Sequence, residues 1–135
     1  MTSPHRIVNP PELGPAVGFS HAVVAAPGRL VYLGGQVAQG PDGVVLAGTL
    51  VEQFDVALGN VVTALRAAGA VPEDLVSLTV YTTVPDDYRA ALTELGAAYR
   101  RHLGRHYPAM AFFAVAGLFD PEAVVELVGT AVVPE

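Results

Sequence analysis

The chain has 135 residues, a net charge of −6, and an apolar fraction of 52% against only 15% charged residues. It contains no cysteine and no lysine, so disulfides, thiolate nucleophiles, cysteine metal sites and lysine Schiff bases are all excluded. The seven arginines are scattered apart from Arg100, Arg101 and Arg105, which argues against a nucleic-acid footprint and reads as favourable charge at a helix C-terminus.

No stretch reaches the roughly 18 to 20 continuous apolar residues of a membrane span, and Met1–Pro11 lacks the apolar block of a signal peptide. The expectation is one domain over residues 1–135, in the cytoplasm. So apolar a chain of this size is expected to bury part of its surface in an oligomer.

Residues 1–17 read as a proline-rich arm with a short edge strand at Arg6–Val8. Ser20–Ala25 is a predicted strand, closed by Pro27-Gly28. Leu30–Ala38 is a second, interrupted by Gly34-Gly35; glycines inside a strand mark a bulge or a close approach of a ligand or backbone. Pro41-Asp42-Gly43 is a turn from which Val44–Leu46 returns as a hairpin arm.

Thr49 and Glu52 form a capping box. Phe54, Leu58, Val61 and Leu65 behind it make an apolar helical stripe, which Gly69 ends with a left-handed cap. The alternation across Leu75–Val84 predicts a central strand. Pro85 opens a second helix whose stripe is Tyr88, Leu92, Leu95, Tyr99 and Leu103, stopped by Gly104. Ala109–Leu118 and Val124–Val133 are two last strands.

The economical arrangement is an α+β domain with one sheet and both helices on the same face. The other face is also apolar and has nothing in this chain to cover it, so it is expected to meet other subunits.

Glu126 is the first chemical candidate, because a carboxylate inside the apolar run Val124–Val128 either faces solvent or acts as a general acid or base. His21 reads first as a structural hydrogen-bonding residue, and Ser20 beside it faces the opposite way, so the two do not make a nucleophile pair. His102 and His106 lie four apart, but Gly104 between them ends the helix and they read as a solvated helix end. No metal site and no cofactor is expected. Phe112 and Tyr88 read from the residues alone as packing groups.

Several segments taken together resemble the Rid/YjgF (reactive-intermediate deaminase) family. They are Gly18–Val23, Leu30–Val37, Gln53 through Asn60, Ala67-Ala68-Gly69, Asp74-Leu75-Val76, Val80-Tyr81, Tyr107-Pro108-Ala109 and Val125-Glu126-Leu127. The resemblance covers roughly residues 5 to 133 and lies in order and spacing rather than in any single piece.

It implies a chorismate-mutase-like fold and a homotrimer with ligand clefts between neighbouring subunits. It also implies cofactor-free hydrolysis of enamines and imines such as 2-aminoacrylate. Some members have been described as endoribonucleases; the acidic charge and the missing basic aromatic stripe weigh against nucleic acid here.

The resemblance further implies a site of Glu126 with Phe19, His21, Gly34, Gly35, Tyr88, Met110 and Phe112. Met110 stands where the family's deaminases carry a carboxylate-binding arginine. Gly34 stands for a serine, Phe19 for a tyrosine and Phe112 for a frequent cysteine, while Gly35 and Glu126 are kept.

The expectation is proton-transfer chemistry on an imine, enamine or related neutral substrate, with Glu126 as acid or base beside Met110. The alternatives are a non-catalytic small-molecule-binding trimer and, less favoured, an endoribonuclease.

Overall fold

The computed structural model describes residues 2–135. In chain order the elements are β1 (Arg6–Val8), β2 (Ala22–Val24), β3 (Gly28–Tyr32), α1 (Leu50–Ala67), a 3-10 turn at Pro72–Asp74, β4 (Leu75–Thr82), α2 (Pro85–Ala90), α3 (Leu92–Leu103), β5 (Ala109–Ala114) and β6 (Val125–Pro134). The expected α+β architecture is present. The strands, however, form two sheets, a β1–β2 ribbon and a four-stranded sheet in the order β3-β6-β4-β5.

The main sheet is mixed: β4 and β5 run parallel, and the other two pairings are antiparallel. The parallel pair needs a crossover, which α2 and α3 supply. Alternate residues of the central strands, Leu78 and Val80 from β4 with Val125, Leu127 and Ala131 from β6, are buried on one face. Phe54, Leu58, Val61 and Leu65 of α1 and Leu95, Tyr99 and Leu103 of α3 close the core over them.

The ends of α1 follow the expected chemistry. Thr49 and Glu52 form the reciprocal cap. At the other end Gly69 takes φ +83, Ala70 N–H donates to Leu65 O and Gly69 N–H to Arg66 O, which closes a Schellman motif. Asp55 of α1 holds His102 at 2.7 Å and Arg101 at 3.2 Å, tying the two long helices together. Burial works against its charge, but these two partners outweigh burial and hold its pKa below the ordinary carboxylate value.

Four elements depart from the periodicity. The strand expected over Leu30–Ala38 stops at Tyr32. Leu33 N–H still donates to Gly129 O and Gln36 N–H to Leu127 O, so Gly34 and Gly35 together stand opposite Val128 as a bulge. The strand expected to Leu118 ends at Ala114.

The second helix breaks at Ala91, whose φ of −116 and ψ of 23 are not helical. The break resets the phase of the stripe, and Leu92 is 60% exposed rather than buried. The hairpin arm at Val44–Leu46 is reduced to a bridge between Gln39 and Val45.

Buried Gln53 fixes where β6 begins. Its Nε2 donates to Glu122 O at 3.0 Å, and its Oε1 accepts from Val124 N–H at 2.9 Å. Among the described residues, no helix is long and apolar enough to cross a membrane.

Two substitutions test this core by urea unfolding. Leu58→Ala, at a fully buried position, is expected to cost about 2–5 kcal/mol through the cavity it leaves. Gln53→Ala is expected to cost about 1–3 kcal/mol, because it strands the Val124 N–H and the Glu122 carbonyl. A change below about 0.5 kcal/mol in either would contradict the packing described.

Candidate functional site

Parallel partners on adjacent strands share a face, so Met110 and Phe112 of β5 lie on the helix side with Leu78 and Val80. There they form the floor of a cavity of about 580 Å³ between the β5 edge and helices α2 and α3. That is within the range of a small-molecule site. Tyr88, Phe54 and Tyr99 line its helix side, and Phe19 closes it from the arm.

Phe19 is held there by its neighbour. Buried Ser20 donates its N–H to Pro108 O at 3.0 Å and its hydroxyl to Tyr107 O at 2.6 Å, clipping the arm to the start of β5. Ser20 is thus a backbone clip rather than a nucleophile. His21 does not line the cavity. Its Nε2 is 2.7 Å from Gly14 O, and its ring packs edge-on against Phe19, so its role in the chain is to brace that ring.

Tyr88 and Tyr99, two of the cavity's tyrosines, are neutral phenols near pH 7. Burial pushes Tyr88 up to about 12. Burial also pushes Tyr99 up, reinforced by its neighbours Tyr107 and Tyr88. The Tyr99 hydroxyl is engaged, donating to His106 O at 2.7 Å, with Met110 Sδ at 3.9 Å. Its ring stacks on Tyr107.

Tyr88 packs between Phe54 and Phe112. Among the described residues no side-chain polar atom is both buried and unpartnered, so the Tyr88 hydroxyl stays accessible to whatever fills the cavity.

Glu126 lies on the other face of the sheet. It is the register partner of Tyr81, one residue out of phase with the buried Val80–Leu127 pair. Tyr81 in turn stacks on Phe113, with ring centroids 5.8 Å apart. The bulge glycine serves this carboxylate directly: a Cβ on Gly35 would overlap Glu126 Oε2. Gly34 beside it is exposed, with open space where a Cβ would stand.

The expected neighbourhood of Met110 and Glu126 is therefore absent within one chain. Strand alternation turns them to opposite faces, so Glu126 does not stand beside Met110 inside a subunit. The implied residues fall into two groups: Phe19, Tyr88, Met110 and Phe112 at the cavity, and Gly34, Gly35 and Glu126 across the sheet.

The pair expected as a solvated helix end is not one: His106 is buried with its Nε2 2.8 Å from Leu75 O, while His102 turns to Asp55. Sequence reasoning missed Arg100 and Gly96 as cavity residues. Arg100 was absorbed into a helix-end charge cluster, and a mid-helix glycine carries no signal without the arginine four residues on.

The family model described as Endoribonuclease L-PSP matches residues 10–133. The 2-iminobutanoate/2-iminopropanoate deaminase of Capra hircus is 30% identical over 115 residues, covering 84% of this chain and 80% of that protein. The Rid-family protein YyfB of Yersinia pestis superposes with a TM-score of 0.84 at 36% identity, over 96% of this chain and 98% of that one. Rv2704 of Mycobacterium tuberculosis, a YjgF/YER057c/UK114 family member, superposes with a TM-score of 0.63 at 28% identity, over 96% of this chain and 99% of that one. With the family pattern matched over residues 10–133 and the fold shared end to end with a Rid protein, the chain belongs to the Endoribonuclease L-PSP, or YjgF/Rid, family.

Proposed function

We propose that this chain is a cytoplasmic, homotrimeric imine or enamine hydrolase whose substrate presents a neutral, apolar reacting end to the Met110 cavity. The observation that carries this reading is the cavity floor. The Met110 thioether stands where the resemblance places a carboxylate clamp, and the Phe112 ring lies two residues on along the same floor. A carboxylate against Met110 and Phe112 would be desolvated with no charged partner there, at a cost of several kcal/mol. A neutral C=N group with alkyl or aryl substituents meets no such penalty. The deaminase names of the Capra hircus and Homo sapiens relatives support the reaction class.

The reaction adds water to the C=N carbon and expels ammonia, leaving a carbonyl. Glu126 is the proton carrier. Its carboxylate carries one proton from the attacking water to the imine nitrogen, giving a carbinolamine, and then carries the hydroxyl proton to the same nitrogen as the C–N bond breaks and ammonia leaves, so no net proton is consumed. Because Glu126 and the cavity are on opposite sheet faces, one subunit supplies the cavity and a neighbour supplies Glu126. The exposed rings on the outer face, Tyr32 and Phe113, are the surface such assembly would cover. Acidic charge and scattered arginines favour this reading over RNA cleavage.

Freshly prepared acetophenone imine, an aryl N–H imine without a carboxylate, is the test substrate, with ammonia release as the readout. Glu126→Gln is expected to lower kcat by about 100-fold or more, while acetophenone binding is kept. Wild-type rates in Glu126→Gln would remove Glu126 as the proton carrier, and no turnover by the wild type would leave only a binding protein.

Gly35→Ala is expected to displace the Glu126 carboxylate and lower turnover without loss of fold, checked by thermal unfolding. Met110→Arg is expected to raise ammonia release from 2-aminoacrylate at least about tenfold, by restoring a bidentate partner for its carboxylate. Equal rates would show that another group already anchors it.

A further inference from the structure

The cavity contains no charge on its floor, yet its rim is cationic. Arg89 and Arg100 are the two charged residues lining it, and no carboxylate joins them among the described residues. The two arginines are not equivalent. Arg89 is spoken for by Asp86 at 3.1 Å, an exposed pair within α2. Arg100 has no ion-pair partner among the described residues, and the adjacent Arg101 turns away to Asp55.

Gly96 explains the pose of Arg100. It sits four residues earlier on α3, hence on the same helix face. Helical side chains lean toward the N-terminus, so Arg100 folds back over position 96. A Cβ there would stand 3.3 Å from Arg100 Nη1, tighter than ordinary contact. The bare backbone of Gly96 therefore lets the guanidinium lie close against the helix on the side that lines the cavity. Glycine in a helix interior is otherwise unfavourable, so this position trades helix stability for the arginine's placement.

We propose that Arg100 is the anion-recognising group of this cavity, selecting amphipathic ligands with an apolar or aryl body and a carboxylate several bonds from the end that rests on Met110. The proposal rests on reading the cavity as the ligand site and narrows its substrate class. A 2-imino acid carries its carboxylate on the reacting carbon, so resting that carbon on Met110 brings the carboxylate to the uncharged floor. An acid whose carboxylate is separated by a short chain reaches from the apolar floor to the exposed guanidinium. The neutral Tyr88 phenol, which also lines the cavity, adds a hydrogen-bond donor and no competing charge.

Isothermal titration with 4-phenylbutanoate and its uncharged analogue 4-phenylbutanamide tests this. The wild type is expected to bind the acid at least about tenfold more tightly than the amide. Arg100→Gln, at an exposed position that does not disturb the core, should bring the two affinities together. Arg89→Gln should leave the preference in place. Gly96→Ala should raise the thermal unfolding temperature and weaken the preference, because its methyl displaces the guanidinium.

The proposal is overturned if the wild type binds both compounds equally, if neither binds, or if the preference survives Arg100→Gln. Since the readout is binding, it is separable from turnover. Loss of preference in Arg100→Gln together with unchanged imine hydrolysis in Glu126→Gln would retire the catalytic role of Glu126 and keep this one.

Discussion

The pairing of β4 with β6 on one side and β5 on the other decides where every side chain of the sheet points. Val80 faces Leu127 across one ladder and Phe112 across the other, and all three share the helix side. Shifted by one residue, Tyr81 shares the outer side with Glu126 and Phe113. A period of two leaves no intermediate choice. The apolar cavity and the proposed proton carrier are thus assigned to opposite faces of a sheet one layer thick. Assembly is the means by which they would meet.

The helices make that division stable. The α1 stripe packs on the inner face with its largest members fully buried, and α3 closes the remaining flank. The break at Ala91 separates α3 from the first short helix, so that Leu92 lines the cavity instead of completing the core stripe, while Tyr88 lines the cavity from the edge of the core. Polar links then position the functional segments: Gln53 anchors the start of β6, Ser20 clips Phe19 over the cavity, and Asn60 Nδ2 donates to Val37 O and Gln39 O just beyond the glycine bulge. The bulge itself makes room for Glu126.

Much of this was legible in the residues. The Thr49–Glu52 box, the Gly69 cap and the alternation through Leu75–Thr82 each follow from local chemistry that tertiary context had no reason to override. The Gly34-Gly35 pair was readable as a bulge, whereas the close approach at Gly35 is made by the Glu126 side chain rather than by a ligand or backbone.

What was not legible depends on three-dimensional phase. The sequence pattern could not show that Ala91 leaves the helical region, nor that β5 ends at Ala114. The resemblance put Met110 and Glu126 in one site without saying which face each occupies; that needs the registers of two different ladders. Arg100 was hidden for a related reason. An arginine in a helix's last turn looks like a dipole partner until Gly96 shows where its guanidinium lies.

The central claim, a site divided between sheet faces and completed by a neighbouring subunit, is tested most directly by mixing subunits. Glu126→Gln keeps the cavity and removes the proton carrier, whereas Ala114→Trp fills the cavity and keeps Glu126. Each homo-oligomer should be inactive on acetophenone imine. Co-refolded at equal amounts into a cyclic oligomer, with assembly followed by sedimentation, they should recover about a quarter of wild-type ammonia release, because that share of clefts pairs an intact cavity with an intact Glu126. No recovery in well-assembled mixtures would mean that the cavity and Glu126 do not act together across subunits, and the account of a shared site would be wrong.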